Sequence, residues 1–199
     1  MKDIDERDLE IPSIEELEKE LDRERAHRSH NKVLRTIILI LLALIATAVI
    51  VVVVALPVLQ ISGSSMASTL RDGDIVVALK TNSFHTGDVI AFEYNNAVQI
   101  KRIIARAGDR VDIDQDGNVF VNGALLDEPY VDEKAFGACD IDLPFTVPEG
   151  TEFVMGDHRT TSIDSRNTAV GCINEEDIMG RLLIRIWPLN TIGIIESGE

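Results

Sequence analysis

Charged side chains recur along the whole chain except between residues 36 and 70, where there are none. Residues 37–59 in that gap are almost all Ile, Leu, Val and Ala, interrupted only by Thr47 and Pro57. At about 1.5 Å per residue, roughly 20 of them cover the ~30 Å hydrocarbon core of a bilayer. The pattern therefore predicts one transmembrane helix over residues 36–59. A cleavable leader would be shorter and nearer the start. Here a largely polar tail of 35 residues comes first, so the span reads as a retained anchor. Within that tail Ser13 and Glu16 have capping-box spacing, and Ile14, Leu17 and Leu21 follow at helical intervals. A short amphipathic helix is expected over about 14–27.

After residue 70 the periodicity changes to that of strands. Residues 74–79, 88–94, 97–106 and 110–113 are rich in β-branched side chains and separated by polar turns. Asp116-Gly117 and Asn122-Gly123 enclose Val119-Phe120-Val121, which marks a further strand between tight turns. Residues 152–155 and 181–187 read as later strands. No long helical period occurs beyond the anchor. The expectation is an all-β, largely antiparallel domain over residues 60–199, behind a single N-terminal transmembrane helix.

Charge sets the expected orientation. Arg23, Arg25, Arg28, Lys32 and Arg35 precede the span, and the first charge after it is Arg71. The positive-inside rule places residues 1–35 in the cytoplasm and residues 60–199 outside a plasma membrane. The tail holds 8 Lys and Arg against 11 Asp and Glu, and the remainder 11 against 23. An external domain this acidic argues against nucleic acid as a partner. Cys139 and Cys172 both fall on the external side, where a disulfide between them is possible. No metal-binding spacing is found, so neither metal nor cofactor is expected.

Three groups of residues carry candidate chemistry. The first is Ser65, in the hydroxyl-rich run Ser62-Gly63-Ser64-Ser65-Met66-Ala67-Ser68-Thr69. A serine is a weak nucleophile near neutrality and needs a base beside it. The second is Lys101, within Val98-Gln99-Ile100-Lys101-Arg102-Ile103-Ile104. A lysine among apolar side chains loses affinity for its proton and becomes such a base. Strand alternation groups Lys101 with Ala97, Ile103 and Ala105; the same spacing also suits an exposed lysine. The third is the polar segment from Gly156 to Arg166, where Asp164 and Arg166 can pair and Ser162 can orient an amine.

In this order behind an anchor, the three groups resemble the type I signal peptidases, membrane serine proteases with a Ser–Lys dyad. Ser65-Met66-x-x-Thr69-Leu70 looks like the nucleophile box, and Gly87-Asp88-Val89-Ile90-Ala91-Phe92 like the next strand box. Ile100-Lys101-Arg102 with Gly108-Asp109 looks like the general-base box. Gly156-Asp157, Arg159, Ser162, Asp164-Ser165-Arg166 and Gly171 look like the last one. The resemblance implies Ser65 as nucleophile and Lys101 as general base. Ser162 would position the amine, with Asp164 and Arg166 bracing the site. Gly63 has no hydroxyl where some members supply a serine to the oxyanion hole, so the N–H of Ser65, aided by Gly63 or Ser64, would stabilise the oxyanion. Shallow pockets are expected from Ile61, Met66, Val76, Ala91 and Ile100. The implied substrates are secretory preproteins, cut after small residues in an Ala-x-Ala pattern at the lipid surface.

The chain departs from the family pattern at several positions. Ser68 and Ala107 stand where proline is usual, Ala105 where glycine is common, and His158 where asparagine is usual. The short interval between Lys101 and Gly156 resembles the compact enzymes of Gram-positive bacteria. Among rivals, a Ser–His protease would have histidine at position 101, and an α/β-hydrolase would have a Gly-x-Ser-x-Gly elbow. A sortase-like Cys172–His158 pair has no supporting motif. A non-catalytic anchored β domain remains the rival of a different class.

Overall fold

Pro57 ends the apolar helix. Proline has no amide hydrogen and disfavours helical geometry at the residue before it, and α1 spans Ile14–Ala55. The computed structural model describes residues 14–197; Ser13, the expected helix cap, lies outside the described residues. The helix expected over about 14–27 does not stop there, because no glycine or proline interrupts residues 28–35. Its part from Lys32 to Ala55 is long and apolar enough to cross a membrane, and none of it is buried. The apolar run outlasts the helix: Val58–Gln60 is a strand, β1. The chain divides into a helical unit through Val52 and a β unit from Val53.

The remaining strands are β2 (Ile75–Leu79), β3 (Val89–Tyr94), β4 (Ala97–Arg106), β5 (Arg110–Ile113), β6 (Val119–Val121), β7 (Ala124–Leu125), β8 (Phe145–Thr146), β9 (Thr151–Met155), β10 (Ile173–Asn174), β11 (Ile178–Trp187) and β12 (Gly193–Ile194). They form two sheets in which every pairing is antiparallel. The larger runs β1-β2-β11-β3-β4-β9-β10, with β12 added on β11, and the smaller runs β7-β6-β5-β8. Two hairpins rest on two-residue turns with positive φ at both positions, Asn95-Asn96 and Asn122-Gly123. That geometry matches the twist of paired strands and favours asparagine and glycine. Their registers, Tyr94 opposite Ala97 and Val121 opposite Ala124, fix which residues share a face.

Three apolar clusters hold the β unit together. Met66 and Leu70 sink into the first, among Val76, Ala91 and Leu182. The second joins β4 and β9 to the small sheet through Ile104, Val111 and Phe153. The third gathers Phe84, Ile90, Phe92, Ile103 and Val154. Full burial of each such side chain stabilises the fold by about 1.5–3 kcal/mol. The simple alternation expected along β4 breaks at a bulge between Ile103 and Ala105, opposite β9. Ala105 therefore joins the cluster of its neighbour Ile104 instead of that of Ile103. An extra residue in one strand shifts every later side chain to the other face.

Candidate active site

Ser65 sits on a tight turn between β1 and β2. The N–H of Ala67 donates to the Ser64 carbonyl at 3.0 Å and that of Thr69 to the Met66 carbonyl at 2.9 Å. Buried Met66 and Leu70 anchor this turn from below and leave Ser65 half-buried at its top. Gly63 has φ +99, which favours glycine. Its N–H donates to Asp72 Oδ1 at 2.8 Å. The Ser65 N–H has no acceptor among the described residues.

The 156–166 loop closes on this turn. The N–H of His158 donates to the Ser65 carbonyl at 3.0 Å, and His158 Nδ1 lies 3.2 Å from the Ser64 carbonyl oxygen. A carbonyl only accepts, so this contact is a hydrogen bond only in the tautomer with the hydrogen on Nδ1; in the other tautomer the Thr161 hydroxyl, 3.0 Å away, donates to that nitrogen instead. Gly156 makes the approach possible. A Cβ there would lie 2.5 Å from the Ser65 carbonyl oxygen and 2.3 Å from Ser162 Oγ. The Ser162 hydroxyl is buried and meets no partner at good hydrogen-bond geometry among the described residues, although it lies close enough to Asp164 to help hold that carboxyl ionised. Such a group is expensive to leave unmade, and it often marks a place where chemistry is done.

Lys101 lies on β4 opposite Ile90 and is only 2% exposed. Burial pushes its ammonium below the ordinary lysine range; Asp164 and Asp157 pull the other way, and Arg166 adds to the depression. Lys101 and Ser65 line one cleft of about 450 Å³, together with Gly63, Phe92, Tyr94, Gln99, Thr161, Ile163 and Val170. An amine that gives up its proton readily, sharing a cleft with a hydroxyl, is the combination that can turn the hydroxyl into a nucleophile.

Two buried guanidinium–carboxylate pairs support these residues. Arg166 Nε and Nη2 each donate at 2.8 Å to Asp164. Asp164 also accepts from the Gly156 N–H at 3.0 Å. Its burial opposes ionisation, yet Arg166 and that N–H hold the carboxyl below its usual range. Arg102, next to Lys101, donates from Nε and Nη2 to Asp157 at 2.9 and 2.8 Å. The Thr69 hydroxyl donates to the same carboxylate. Asp157 thus ties the serine turn, the lysine strand and the loop together. Sequence reasoning passed over Asp157, Arg102 and Thr69 as functional residues, although all three stand inside the motifs.

Of the expected residues, Ser65, Gly63 and Lys101 face one cleft, with Ser162, Asp164 and Arg166 packed behind it. Ile61, Met66, Val76, Ala91 and Ile100 belong to one closed apolar cluster and do not line the cleft. They lie beneath the serine turn, where β2, β3 and β4 turn their inward faces. Cys139 and Cys172 are both free thiols.

Residues 33–187 match the family model described as signal peptidase, peptidase S26. The chain belongs to this family of serine endopeptidases. It is 36% identical over 150 residues to signal peptidase IB of Staphylococcus aureus strain COL, covering 65% of this chain and 77% of the relative. It is 35% identical over 145 residues to signal peptidase I of Bacillus licheniformis, covering 66% and 77%. A crystal structure of a signal peptidase I from Enterococcus faecalis aligns with 28% identity and a TM-score of 0.43, over 50% of this chain and 97% of that one.

Proposed function

We propose that the chain is a membrane-anchored endopeptidase that removes signal peptides from secretory preproteins, with Ser65 as nucleophile and Lys101 as general base. The observation that carries the reading is a buried lysine, its proton affinity lowered by burial, in the same cleft as Ser65. In the cycle, Lys101 Nζ takes the Ser65 proton while Oγ bonds to the scissile carbonyl carbon. The carbon–nitrogen bond then breaks, and the new ammonium returns the proton to the departing amine. Lys101 Nζ, neutral again, next removes a proton from water, whose oxygen attacks the ester. Ser65 regains its hydrogen as the acyl fragment leaves. The cycle needs no metal or cofactor.

The unengaged Ser65 N–H is the primary oxyanion donor. Gly63 joins it only when its bond to Asp72 opens. Ser162 offers its unpartnered hydroxyl to the lysine amine, and the Asp164–Arg166 pair fixes the loop that holds it. Ile61, Met66, Val76, Ala91 and Ile100 are closed on one another. A recess opened among them admits a methyl group more readily than a large side chain, in keeping with cleavage after Ala-x-Ala. The segment 32–55 anchors the enzyme with the N-terminus in the cytoplasm, and the β unit works outside. Confinement of enzyme and precursor to one surface raises their effective concentration. Lipid is thus a contact of the enzyme, whereas nucleic acid is not a partner.

The test is cleavage of one Ala-x-Ala precursor by the purified full chain. Ser65→Ala should abolish it. A rate unchanged by Ser65→Ala and by Lys101→Ala would leave an anchored binding domain as the better description.

A further inference from the structure

The 156–166 loop and the lysine strand contain three buried arginines, and one segment outside every family motif meets all of them. That segment is part of the connection between β7 and β8. Glu128 receives Arg159 on both carboxylate oxygens, at 3.2 and 2.5 Å, with both side chains fully buried. Two residues on, the Tyr130 ring lies 3.8 Å from Cζ of Arg102. Burial drives its phenol well above the ordinary range, so the ring stays neutral under a cation. Farther along, the carbonyls of Ala135 and Phe136 accept from Arg166 Nη1 at 3.1 and 3.0 Å. Gly137 lets this part come close, since a Cβ there would fall 2.5 Å from Arg166 Nη1.

The three arginines are not scattered. Arg102 is the immediate neighbour of Lys101, while Arg159 and Arg166 bracket Ser162 in sequence. Arg159 also donates from Nε to the Gly156 carbonyl at 3.1 Å, at the glycine against which Ser65 and Ser162 both rest. Burying ion pairs adds little net stability compared with packing apolar side chains of the same volume. A two-pronged guanidinium–carboxylate contact supplies direction instead.

We propose that Glu128 and Tyr130 are positioning residues of the peptidase: this strap grips Arg159 and Arg102 and so sets where Ser162 and Lys101 stand relative to Ser65. The inference rests on the Ser–Lys reading above. Neither residue touches the cleft, and both act through the arginines.

The full chain is compared as wild type, Glu128→Gln, Tyr130→Phe, Tyr130→Leu and the paired replacement Glu128→Leu with Arg159→Met, at a temperature well below each melting point. Glu128→Gln leaves Arg159 without its counter-charge and should lower kcat about 100-fold, the scale of an ångström-sized misplacement, with KM within about threefold. Its kcat should also follow a shifted pH limb, because the amine has moved relative to Ser162. Tyr130→Phe keeps the ring face and should match wild type, whereas Tyr130→Leu should fall. The paired replacement removes the lone buried charge, so its melting point should recover while kcat stays low. Recovery of kcat together with the melting point would reduce the strap to a stability element and overturn the proposal. So would a Glu128→Gln enzyme that melts earlier but turns over normally. Amide exchange across 156–166 gives a reading that needs no cleavage: it should quicken in Glu128→Gln, and unchanged protection there would likewise end the proposal. If wild type and Ser65→Ala were equally inactive while that exchange still quickened, the peptidase reading would fail and the grip on the loop would stand.

Discussion

Lys101 and Arg102 follow one another on β4, and both are removed from solvent. Arg102 is met by Asp157 on two of its nitrogens, by the Gly87 and Glu196 carbonyls at 2.7 and 2.8 Å, and by the face of Tyr130. Lys101 has no carboxylate at ion-pair distance among the described residues, and burial dominates its titration. One cation is buried and met by a direct ion pair; the other is buried without one, and Asp164 and Asp157 offset only part of its burial. Guanidinium remains charged in either setting, so it suits the first role. An amine can give up its proton, and the second setting favours that. On the proposed reading, adjacent positions of one strand separate support from chemistry.

The sharpest way to break this contrast is to remove the unpaired cation. Lys101→Met should lower the rate of precursor cleavage by about 10⁴-fold, the upper end for loss of a general base, while raising the melting temperature. The sign follows from linkage. The folded lysine binds its proton less tightly than the unfolded one, whose pKa is about 10.4. The buried lysine therefore destabilises the fold at neutral pH, and its penalty disappears as pH rises past the unfolded value. The stability advantage of Lys101→Met should shrink accordingly between neutral pH and about pH 10.5 in thermal melts. A variant that melts earlier than wild type at neutral pH would show that the burial of the ammonium is offset in full after all. In the wild-type enzyme, kcat/KM should rise with pH along a limb whose midpoint lies below that of an ordinary lysine.

Removing the paired cation should act mainly on the fold. Arg102→Gln leaves Asp157 buried without its partner, a loss on the order of 3–5 kcal/mol by urea titration. Activity per folded molecule should drop less than for Lys101→Met. The smallest effect is expected at His158, whose ring and N–H hold the carbonyls of Ser64 and Ser65. His158→Ala should lower kcat about fivefold, the worth of a single neutral hydrogen bond of ~1 kcal/mol. His158→Asn offers a side-chain N–H and should restore most of it. Equal losses in the two variants would show that the ring donates nothing to the serine turn.

The strands that carry the site were legible because their patterns are local. β4, β5 and β6 begin and end where alternation and Asn-Gly or Asp-Gly turns place them. The strands left unread, β1, β7, β8, β10 and β12, span two or three residues each and are too short for a period to register. The end of α1 escaped because hydrophobicity continues past Pro57 into β1, where the same residues serve a sheet. Lys101 could be picked out, but its burial could not, since alternation alone is blind to what covers each face. Glu128 and Tyr130 lie in an irregular connection with no period and no recognised motif. Their importance comes from arginines distant in sequence, a relation that only the fold creates.

Gly156 carries a consequence for how this enzyme can vary. The hydrogen atom on its Cα is all that separates the serine turn from the loop bearing Ser162. Even one methyl group would wedge the two apart, and no neighbouring flexible tail could give way, because one obstacle is main chain. The position is closed to adaptive change, so an inhibitor braced against that seam would face a wall that the organism cannot remodel without disarming its own protease.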